Sequence, residues 1–338
     1  MSLQHVWTLG IAGLGVALFH LLLLPLPWLL GPMFACLIAA LAGLNLKAPT
    51  QIGILMRTVL GVAVGATITP SILAELGAMV WSLALIPGLI LACGLVGYPF
   101  FRRVCGFDPA TSYYGAMPGG LQDMLIFGEE AGGSPRALSL LHATRVLVIV
   151  TALPFLLTSV MGADLSRPPG QAASTIPIHE LALMVVIAIA GWRGAVAIGL
   201  FGATILGPMF LATAASLMDV IHHRPPAEAI MAAQFFIGLG IGATYAGVTG
   251  REVQSTVLAG LGYVLIIFGI SAAFAYVAVQ LGGMETLNAI LAFAPGGQAE
   301  MTVLAIVAGA DAALVVAHHL LRIVVVIIGA PIFSRLLR

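Results

Sequence analysis

One set of residues occurs twice in this chain, in two copies that lie 177 positions apart. Each copy has a Pro-Gly-Gly triplet, a carboxylate five residues after the proline, a histidine nineteen residues later and an arginine three residues after that. The members are Pro118, Gly119, Gly120, Asp123, His142 and Arg145 in the first copy, and Pro295, Gly296, Gly297, Glu300, His319 and Arg322 in the second. Only 8% of the residues are charged, so chance does not readily explain a carboxylate and an arginine at matching places in both copies. Ionisable groups inside apolar segments are costly and mark binding sites or pathways, so the recurrence predicts a duplicated site.

The composition predicts an all-α polytopic membrane protein. Hydrophobic residues make up 61% of the 338 positions, and the mean hydropathy is +1.12. Apolar segments of about 20 residues recur along the chain, and each is long enough to cross a hydrocarbon core of roughly 30 Å. Met1–Trp7 lacks the basic region and cleavage site of a secretory signal, so we expect the first apolar segment to be retained. The expected location is the bacterial inner (plasma) membrane, with multiple passes.

Charge and cysteine content exclude several classes of function. The 13 basic residues balance the 13 acidic ones, and no basic patch of the kind that binds nucleic acid is present. Cys36, Cys93 and Cys105 show no pattern of a disulfide framework or a zinc site. We therefore predict no cofactor, no metal and no enzyme activity.

Further paired segments divide the chain into two repeats. Gly31-Pro32-Met33-Phe34 recurs as Gly207-Pro208-Met209-Phe210, and the pair Gly61/Gly65 recurs as Gly238/Gly242. The predicted organisation is a first membrane repeat at 1–163, a polar linker at 164–177 and a second membrane repeat at 178–338. Thr67 and Thr244 follow the paired glycines, and we expect both to line a cavity beside the Pro-Gly-Gly triplets.

The fifth of six apolar segments in each repeat is interrupted by its Pro-Gly-Gly triplet. The arms on either side, within 109–131 and 286–309, are each too short to span a membrane. Such interruptions at matching places in two halves point to a transporter binding site. If the segment crosses fully, twelve spans form parallel repeats. If it is re-entrant, ten spans form inverted repeats.

The distribution of basic residues favours the inverted arrangement. With a cytoplasmic N-terminus and the intramembrane arginines set aside, the inverted arrangement places eight basic residues inside and two outside. The parallel arrangement places seven inside and three outside. The fold prediction is therefore two repeats, inverted, with 10–12 transmembrane helices and two broken helices or re-entrant hairpins.

The triplets suggest an anion site with a carboxylate beside it. Proline suits the first helical turn, and glycine lets a ligand approach backbone N–H groups at the positive end of a helix. Asp123 and Glu300 lie one turn further on. They either cap their own half-helix or bind a coupling cation.

The histidines and arginines share a helix face, because they are three residues apart. An arginine inside a membrane needs a carboxylate, carbonyl groups or an anionic ligand as partner. Arg145 with Asp123 and Arg322 with Glu300 are therefore candidate pairs, and bidentate binding of a substrate carboxylate is the alternative. His142 and His319 either relay protons or bond to a neighbouring helix.

These paired motifs, Pro-Gly-Gly-x-x-(Asp/Glu)-Met and Leu-Gly-Pro-Met, resemble the AbrB-type integral membrane family, whose domain is duplicated in its longer members. The resemblance covers nearly the whole chain. It implies a membrane regulator of gene expression, and some members carry the label ammonia monooxygenase. The small soluble DNA-binding regulator of the same name is a different protein. The broken helices are also similar to those of cation–anion antiporter and bile-acid-symporter folds, which is an analogy of fold alone.

The function we expect is secondary transport of a small organic anion or ion, coupled to H⁺ or Na⁺, by alternating access around the two triplets. A membrane sensor that binds the same ligand without moving it is the alternative, and haem bound by His142 and His319 is a third interpretation. Expected partners are an anionic or zwitterionic substrate, the coupling cation, the lipid bilayer and, as an open alternative, a second copy in a homodimer. No nucleic acid is expected.

The inverted arrangement predicts that Arg136 is cytoplasmic and that Gly170 lies on the opposite side of the membrane. Arg136→Cys and Gly170→Cys, each in a variant without the native cysteines, are labelled with a membrane-impermeant maleimide. Only position 170 should react from the periplasm. Labelling of position 136 from that side would instead favour twelve spans.

Overall fold

A computed structural model describes residues 3–68, 79–163, 165, 168–200 and 202–334. Helices and their connections make up these residues, and no β-strand is found among them. In chain order the main helices are α1 (Leu3–Leu21), α2 (Pro27–Leu41), α3 (Thr50–Gly65), α4 (Ile86–Pro99), α5 (Pro109–Ala116), α6 (Leu121–Glu130), α7 (Pro135–Met161), α8 (Ile178–Ala197), α9 (Ala203–Leu217), α10 (Ala227–Ala243), α11 (Leu258–Gly282), α12 (Thr286–Phe293), α13 (Gln298–Ala308) and α14 (Ala312–Ser334).

Six helical segments in the described ranges are long and apolar enough to cross a membrane. They are Gln4–Leu21, Met79–Val104, Pro135–Met161, Ile178–Ala197, Gly250–Gly282 and Ala312–Ala330. Two of these segments extend a main helix through a π-helical turn, Phe100–Val104 after α4 and Val253–Val257 before α11. The prediction of an all-α, multi-pass membrane protein is thereby confirmed.

Each fifth apolar segment consists of two short helices on either side of its triplet. The helix α5 begins at Pro109, where the Asp108 side chain accepts a hydrogen bond of 2.8 Å from the Thr111 N–H as an N-cap. It ends before Met117, and α6 starts at Leu121 with Gly120 as its N-cap. The second segment follows the same order, with α12 ending at Phe293 and α13 starting at Gln298. Proline prevents the first helix from continuing, because it has no N–H to donate.

The chain forms two compact units, and each unit takes segments from both halves of the sequence. The first compact unit contains Met1–Gly77, Pro154–Gly247 and Thr302–Ala313. The second contains Ala78–Leu153, Val248–Met301 and Leu314–Arg338. The repeats at 1–163 and 178–338 are inferred from paired sequence motifs and not from spatial contacts. They stay a prediction. Residues 74–78, at the start of the predicted fourth apolar segment (74–99), lie outside the described residues, as do 164, 166 and 167 of the linker.

In the first compact unit, glycines allow helices from the two halves to touch backbone to backbone. The helix α3 packs against α9, and α10 packs against α2. A β-carbon at Gly61 would collide with the carbonyl oxygen of Ile205, and one at Gly238 would collide with that of Leu29. These contacts correspond at matching positions of the two halves, so each half supplies glycine faces to the other. Small residues permit this close approach of membrane helices.

In the second compact unit, an aromatic core surrounds the end of α5. The rings of Phe101 and Tyr263 lie 4.7 Å apart, and both side chains are fully buried. The Tyr263 hydroxyl donates to the carbonyl oxygen of Ala116, the last residue of α5. Gly97 in α4 leaves room for this ring, since a β-carbon there would lie 2.6 Å from it. The core thus fixes the position at which the first triplet begins.

The glycine contacts of α10 give a stability prediction with an internal control. Gly238→Ala should destabilise the protein by about 1–3 kcal/mol, because the added methyl group meets the Leu29 carbonyl in a packed interface. Gly240→Ala on the same helix has open space around it and should be neutral or stabilising by up to about 1 kcal/mol. Unfolding of both variants in micelles by a denaturing detergent measures the difference. Equal effects at the two positions would contradict the described packing.

Candidate functional site

The two arginines of the duplicated motif bind backbone carbonyl groups of their own triplet segment. Arg145 donates from Nη1 to the Met117 carbonyl at 3.0 Å and from Nη2 to the Gly119 carbonyl at 2.8 Å. Arg322 donates in the same way to Ala294 and Gly296, at 2.7 Å each. The acceptors lie 28 and 26 residues before the arginine in both motifs. The planar guanidinium therefore bridges two carbonyls across each interruption.

These bonds satisfy groups that the helix interruption leaves without partners. The last carbonyls of a helix have no N–H donor within the helix, and they form its negative end. Arg145 and Arg322 are 3% and 2% exposed, so water does not supply the missing donors. A buried positive charge at this end is stabilised by the carbonyl dipoles. The arginines hold the non-helical segments in place.

The histidines extend the same pattern. Nε2 of His142 lies 3.1 Å from the Tyr114 carbonyl oxygen, and Nε2 of His319 lies 2.9 Å from that of Leu291. Because a carbonyl only accepts, this nitrogen carries the proton in each ring. The bond supports the interpretation that the histidines connect neighbouring helices. It occupies Nε2 of each ring and leaves Nδ1 without a partner among the described residues.

The two glycines of each triplet have different roles. The first glycine lies beneath a methionine, since a β-carbon at Gly119 would be 2.8 Å from Met124 Cε and one at Gly296 would be 2.7 Å from Met301 Cε. The second glycine lies beneath the carboxylate. A β-carbon at Gly120 would collide with Asp123 Oδ2, and one at Gly297 would collide with Glu300 Oε2. This packing explains why a carboxylate and a methionine follow the triplet at fixed distances.

The carboxylates fold back over the first turn of their own half-helices. Asp123 is half-buried, and its side chain accepts a hydrogen bond from its own backbone N–H. In the described part of the chain it forms no ion pair with Arg145, whose two Nη atoms donate to carbonyls. The candidate Asp123–Arg145 pair is therefore not formed. A carboxylate at this end of a helix is stabilised by the exposed N–H groups.

Both copies of the motif lie in the second compact unit and are close to each other there. Arg145 lies near Arg322, and Glu300 of the second motif lies near Arg145 of the first. A β-carbon at Gly119 would also lie 2.9 Å from Val326 on α14. This proximity agrees with the expectation that both triplets lie beside one ligand, and the ligand itself stays a prediction.

Thr67 and Thr244 belong to the first compact unit. Their hydroxyl groups donate to helix carbonyls, from Thr67 to Val64 at 2.7 Å and from Thr244 to Gly240 at 3.0 Å. These bonds are local to one helix turn. The expectation that both threonines line a cavity with the triplets stays a prediction.

Other buried polar residues near the motifs were not identified from the sequence. Tyr263 bonds to the end of α5, and the Tyr113 hydroxyl donates to the Ala330 carbonyl at 3.1 Å. His318 Nε2 lies 2.9 Å from the Ser82 hydroxyl oxygen. A signal was available for the tyrosines, since a buried hydroxyl in an apolar segment needs a partner. Nothing in the spacing indicates which partner it finds.

Each motif also contains one donor and one acceptor that no described residue satisfies. The buried atoms are Nε of Arg145 and Arg322, which can only donate, and Nδ1 of His142 and His319, which accepts when Nε2 carries the proton. Buried polar atoms usually have a partner, and an ordered water or a ligand group supplies it where the protein does not. The motifs thus have capacity for a small polar ligand. No group of three or more metal-binding side chains occurs among the described residues.

Comparison with known proteins relates nearly the whole chain to one family. A family model described as "Transition state regulatory protein AbrB" matches residues 28–338. "Uncharacterized protein YhjN" of Bacillus subtilis (strain 168) is 30% identical over 368 aligned positions, which cover 99% of this chain and 93% of that protein. "Putative regulator AbrB" of Escherichia coli (strain K12) is 27% identical over 320 positions, covering 92% of this chain and 90% of that protein. No solved structure matches the chain.

The carbonyl-bound arginine predicts additive effects of mutations. Arg145→Gln should lower the free energy of unfolding by about 2–4 kcal/mol, because it leaves two buried carbonyls without donors. Asp123→Asn should cost about 0.3–1 kcal/mol, the usual value of a carboxylate at a helix N-terminus. The double variant should show the sum within about 0.5 kcal/mol.

The measurement is detergent-induced unfolding of the four proteins, with Glu129→Gln on the exposed part of α6 as a control for loss of a carboxylate. A double variant that is more stable than Arg145→Gln alone would show that the two charges compensate each other. The assignment of Arg145 to the carbonyls would then be wrong.

Proposed function

Because the chain belongs to the AbrB family, and neither relative's name states a substrate, we propose its function from the duplicated motif itself. We propose a secondary transporter that moves a small organic anion or ion across the bacterial inner membrane. Transport is coupled to H⁺ or Na⁺ and proceeds by alternating access around the two triplet segments. The protein acts as a carrier and not as an enzyme.

The observation that carries this proposal is the pair of matched helix interruptions, each held by a buried arginine on two carbonyls. Non-helical backbone inside a membrane is stable only where it is buried in protein or lines a cavity. In transporters such interruptions occur in corresponding positions of two halves and form the substrate site. The two motifs of this chain have that relationship in sequence, and they lie close together, since a β-carbon at Gly119 would be 2.9 Å from Val326 on α14.

The half-helices α6 and α13 supply the groups that bind an anion. Gly120 and Gly297 are partly exposed at their N-terminal ends, whereas the preceding Gly119 and Gly296 are buried. Exposed N–H groups at the positive end of a helix favour an anionic ligand. We propose that the substrate contacts these backbone N–H groups. Arg145 and Arg322, which bind the carbonyl groups of the same triplet segments, add positive charge to the site. The Nε atoms of the arginines are further donors for it.

The carboxylates provide the coupling step. Asp123 and Glu300 lie directly over the glycines that the substrate approaches. Binding of H⁺ or Na⁺ to a carboxylate removes its repulsion of an anion, so cation and anion favour each other's binding. The difference between Asp and Glu at matching positions suggests that the two motifs bind the cation unequally.

We further propose that the two halves are inverted repeats with ten membrane crossings and that α5–α6 and α12–α13 are re-entrant. The reciprocal contacts of Gly61 with Ile205 and of Gly238 with Leu29 support related halves. The count of basic residues inside and outside supports their inversion. Together these features describe a carrier that presents one central site to either side in turn.

A second candidate is a membrane sensor that binds the same ligand without moving it. The name of the Escherichia coli relative, "Putative regulator AbrB", favours this alternative. Both functions need the same binding site, and they differ in whether bound ligand crosses the membrane. Flux into proteoliposomes therefore separates them.

Transport predicts that substitution of the second glycine of each triplet abolishes uptake without unfolding the protein. Gly120→Val and Gly297→Val would each displace the carboxylate above and block approach to the backbone. Gly269→Val on α11, where the structure has open space, is the control in the same compact unit. Uptake of labelled small organic acids into proteoliposomes, driven by a proton or sodium gradient, measures the effect.

The control should transport at the wild-type rate, and both triplet variants should fall to the rate of empty liposomes while keeping their melting temperature. Saturable binding without flux for every acid in the set would instead establish a sensor. Wild-type flux in both triplet variants would remove the triplets from the substrate path.

A further inference from the structure

The first compact unit contains a cavity of about 480 Å³ that is separate from the duplicated motif. Its walls come from residues 168–171 of the linker, from the connection between α9 and α10 at 222–224, and from the end of α13. This volume lies in the range of sites for small molecules. The residues that line it therefore indicate which ligand it suits.

A buried carboxylate holds the connection between α9 and α10 in place. Glu180, in the first turn of α8, is 4% exposed. It accepts hydrogen bonds from the backbone N–H groups of His222 at 3.1 Å and His223 at 3.2 Å. Nδ1 of His223 lies 3.0 Å from the same carboxylate and is its donor. The connection is thus fixed before any ligand binds.

One wall of the cavity is basic. His222, His223 and Arg224 line it, and none of the lining residues that the structure describes is acidic. Within the described ranges Arg224 has no ion-pair partner, and Nε2 of His223 has no hydrogen-bond partner. The Arg224 guanidinium can hold a carboxylate by charge-assisted hydrogen bonds, and Nε2 of His223 can donate to the same carboxylate when the ring carries both protons.

Most of the remaining lining is apolar. Ile306 and Val307 of α13 contribute to it together with Pro168 and Pro169. Both α13 side chains are at most 8% exposed, so this surface is part of the packed interior. A cavity with one basic and one apolar wall suits a small organic carboxylate with an apolar body better than inorganic phosphate.

The basic part of the cavity lining is only partly matched in the first half of the sequence. At matching positions the first half has Gln4 for Glu180 and Lys47 for Arg224. The Lys47 backbone N–H donates to the Thr8 hydroxyl at 3.0 Å, so this connection is held differently. The positive charge of Arg224 has a counterpart in Lys47, whereas His222 and His223 are matched by Asn45 and Leu46 and occur only in the second half.

We propose that this cavity is a regulatory site for a small organic carboxylate, which Arg224 and His223 bind and which packs against Ile306 and Val307. These two residues lie at the end of α13, and the same helix begins beside the triplet Pro295-Gly296-Gly297. A ligand in the cavity stabilises α13 and so acts on the helix that carries Glu300. Binding of a carboxylate in this cavity does not depend on whether the protein transports a substrate at the triplets.

The first test measures binding of benzoate to the purified full-length protein by calorimetry, with Arg224→Gln and the matched control Lys47→Gln. We expect Arg224→Gln to weaken binding about tenfold or more, the effect of losing one charge-assisted bond, and Lys47→Gln to leave it within about twofold. Arg224→Lys should restore part of the affinity. Equal affinities of wild type and Arg224→Gln would overturn the proposal.

The second test uses wild-type protein only, so it does not depend on the folding of a variant. Crystals soaked in 4-iodobenzoate should show an anomalous peak beside Arg224, and a peak only at the triplets would overturn the assignment. Hydrogen exchange of 302–308 should slow when benzoate is added. Unchanged exchange with bound benzoate would reject the action on α13.

A lipid headgroup is the competing source of an anion. Benzoate binding is therefore compared in nanodiscs of phosphatidylcholine alone and with phosphatidylglycerol. We expect equal affinity in both. Strong competition by phosphatidylglycerol that Arg224→Gln removes would assign the site to lipid and overturn the proposal.

Discussion

The bridge from an arginine to two backbone carbonyls is the interaction on which both interrupted segments depend. Inside a membrane, backbone groups that lose their helical partners cannot turn to water. A guanidinium has several donors in one plane and keeps its charge, so one side chain serves two carbonyls at once. Arg145 and Arg322 do this at distances of 2.7–3.0 Å. Without them the non-helical residues would carry buried acceptors without donors.

The rest of each motif follows from electrostatics at the two new helix ends. The arginine neutralises the negative end of the first half-helix, and the carboxylate stabilises the positive end of the second. Each of the two side chains therefore meets a helix end of opposite partial charge. The second glycine of each triplet stays partly exposed while the first is buried beneath a methionine. Polar backbone is thus available at one point in an otherwise sealed segment, which is where a selective site is possible.

Sequence periodicity and duplication predicted much of this arrangement. The fixed spacing from Pro118 to Arg145 and from Pro295 to Arg322 identified the interruptions and the residues around them. It did not identify the arginine's partner, because a carboxylate and a pair of carbonyls at similar distance along the chain satisfy the same spacing. Tyr263 was missed because its partner, the Ala116 carbonyl, lies 147 residues away. The cavity beside Arg224 was missed because its walls come from three distant segments, and only the fold brings them together.

The reciprocal glycine contacts have a consequence for how the protein is made. The face of α3 that carries Gly61 and Gly65 packs on α9, which is synthesised more than a hundred residues later. Until α9 has been synthesised, the backbone that meets this glycine face does not exist, so these contacts cannot form. The first half of the chain therefore completes its packing only after the second half has been made.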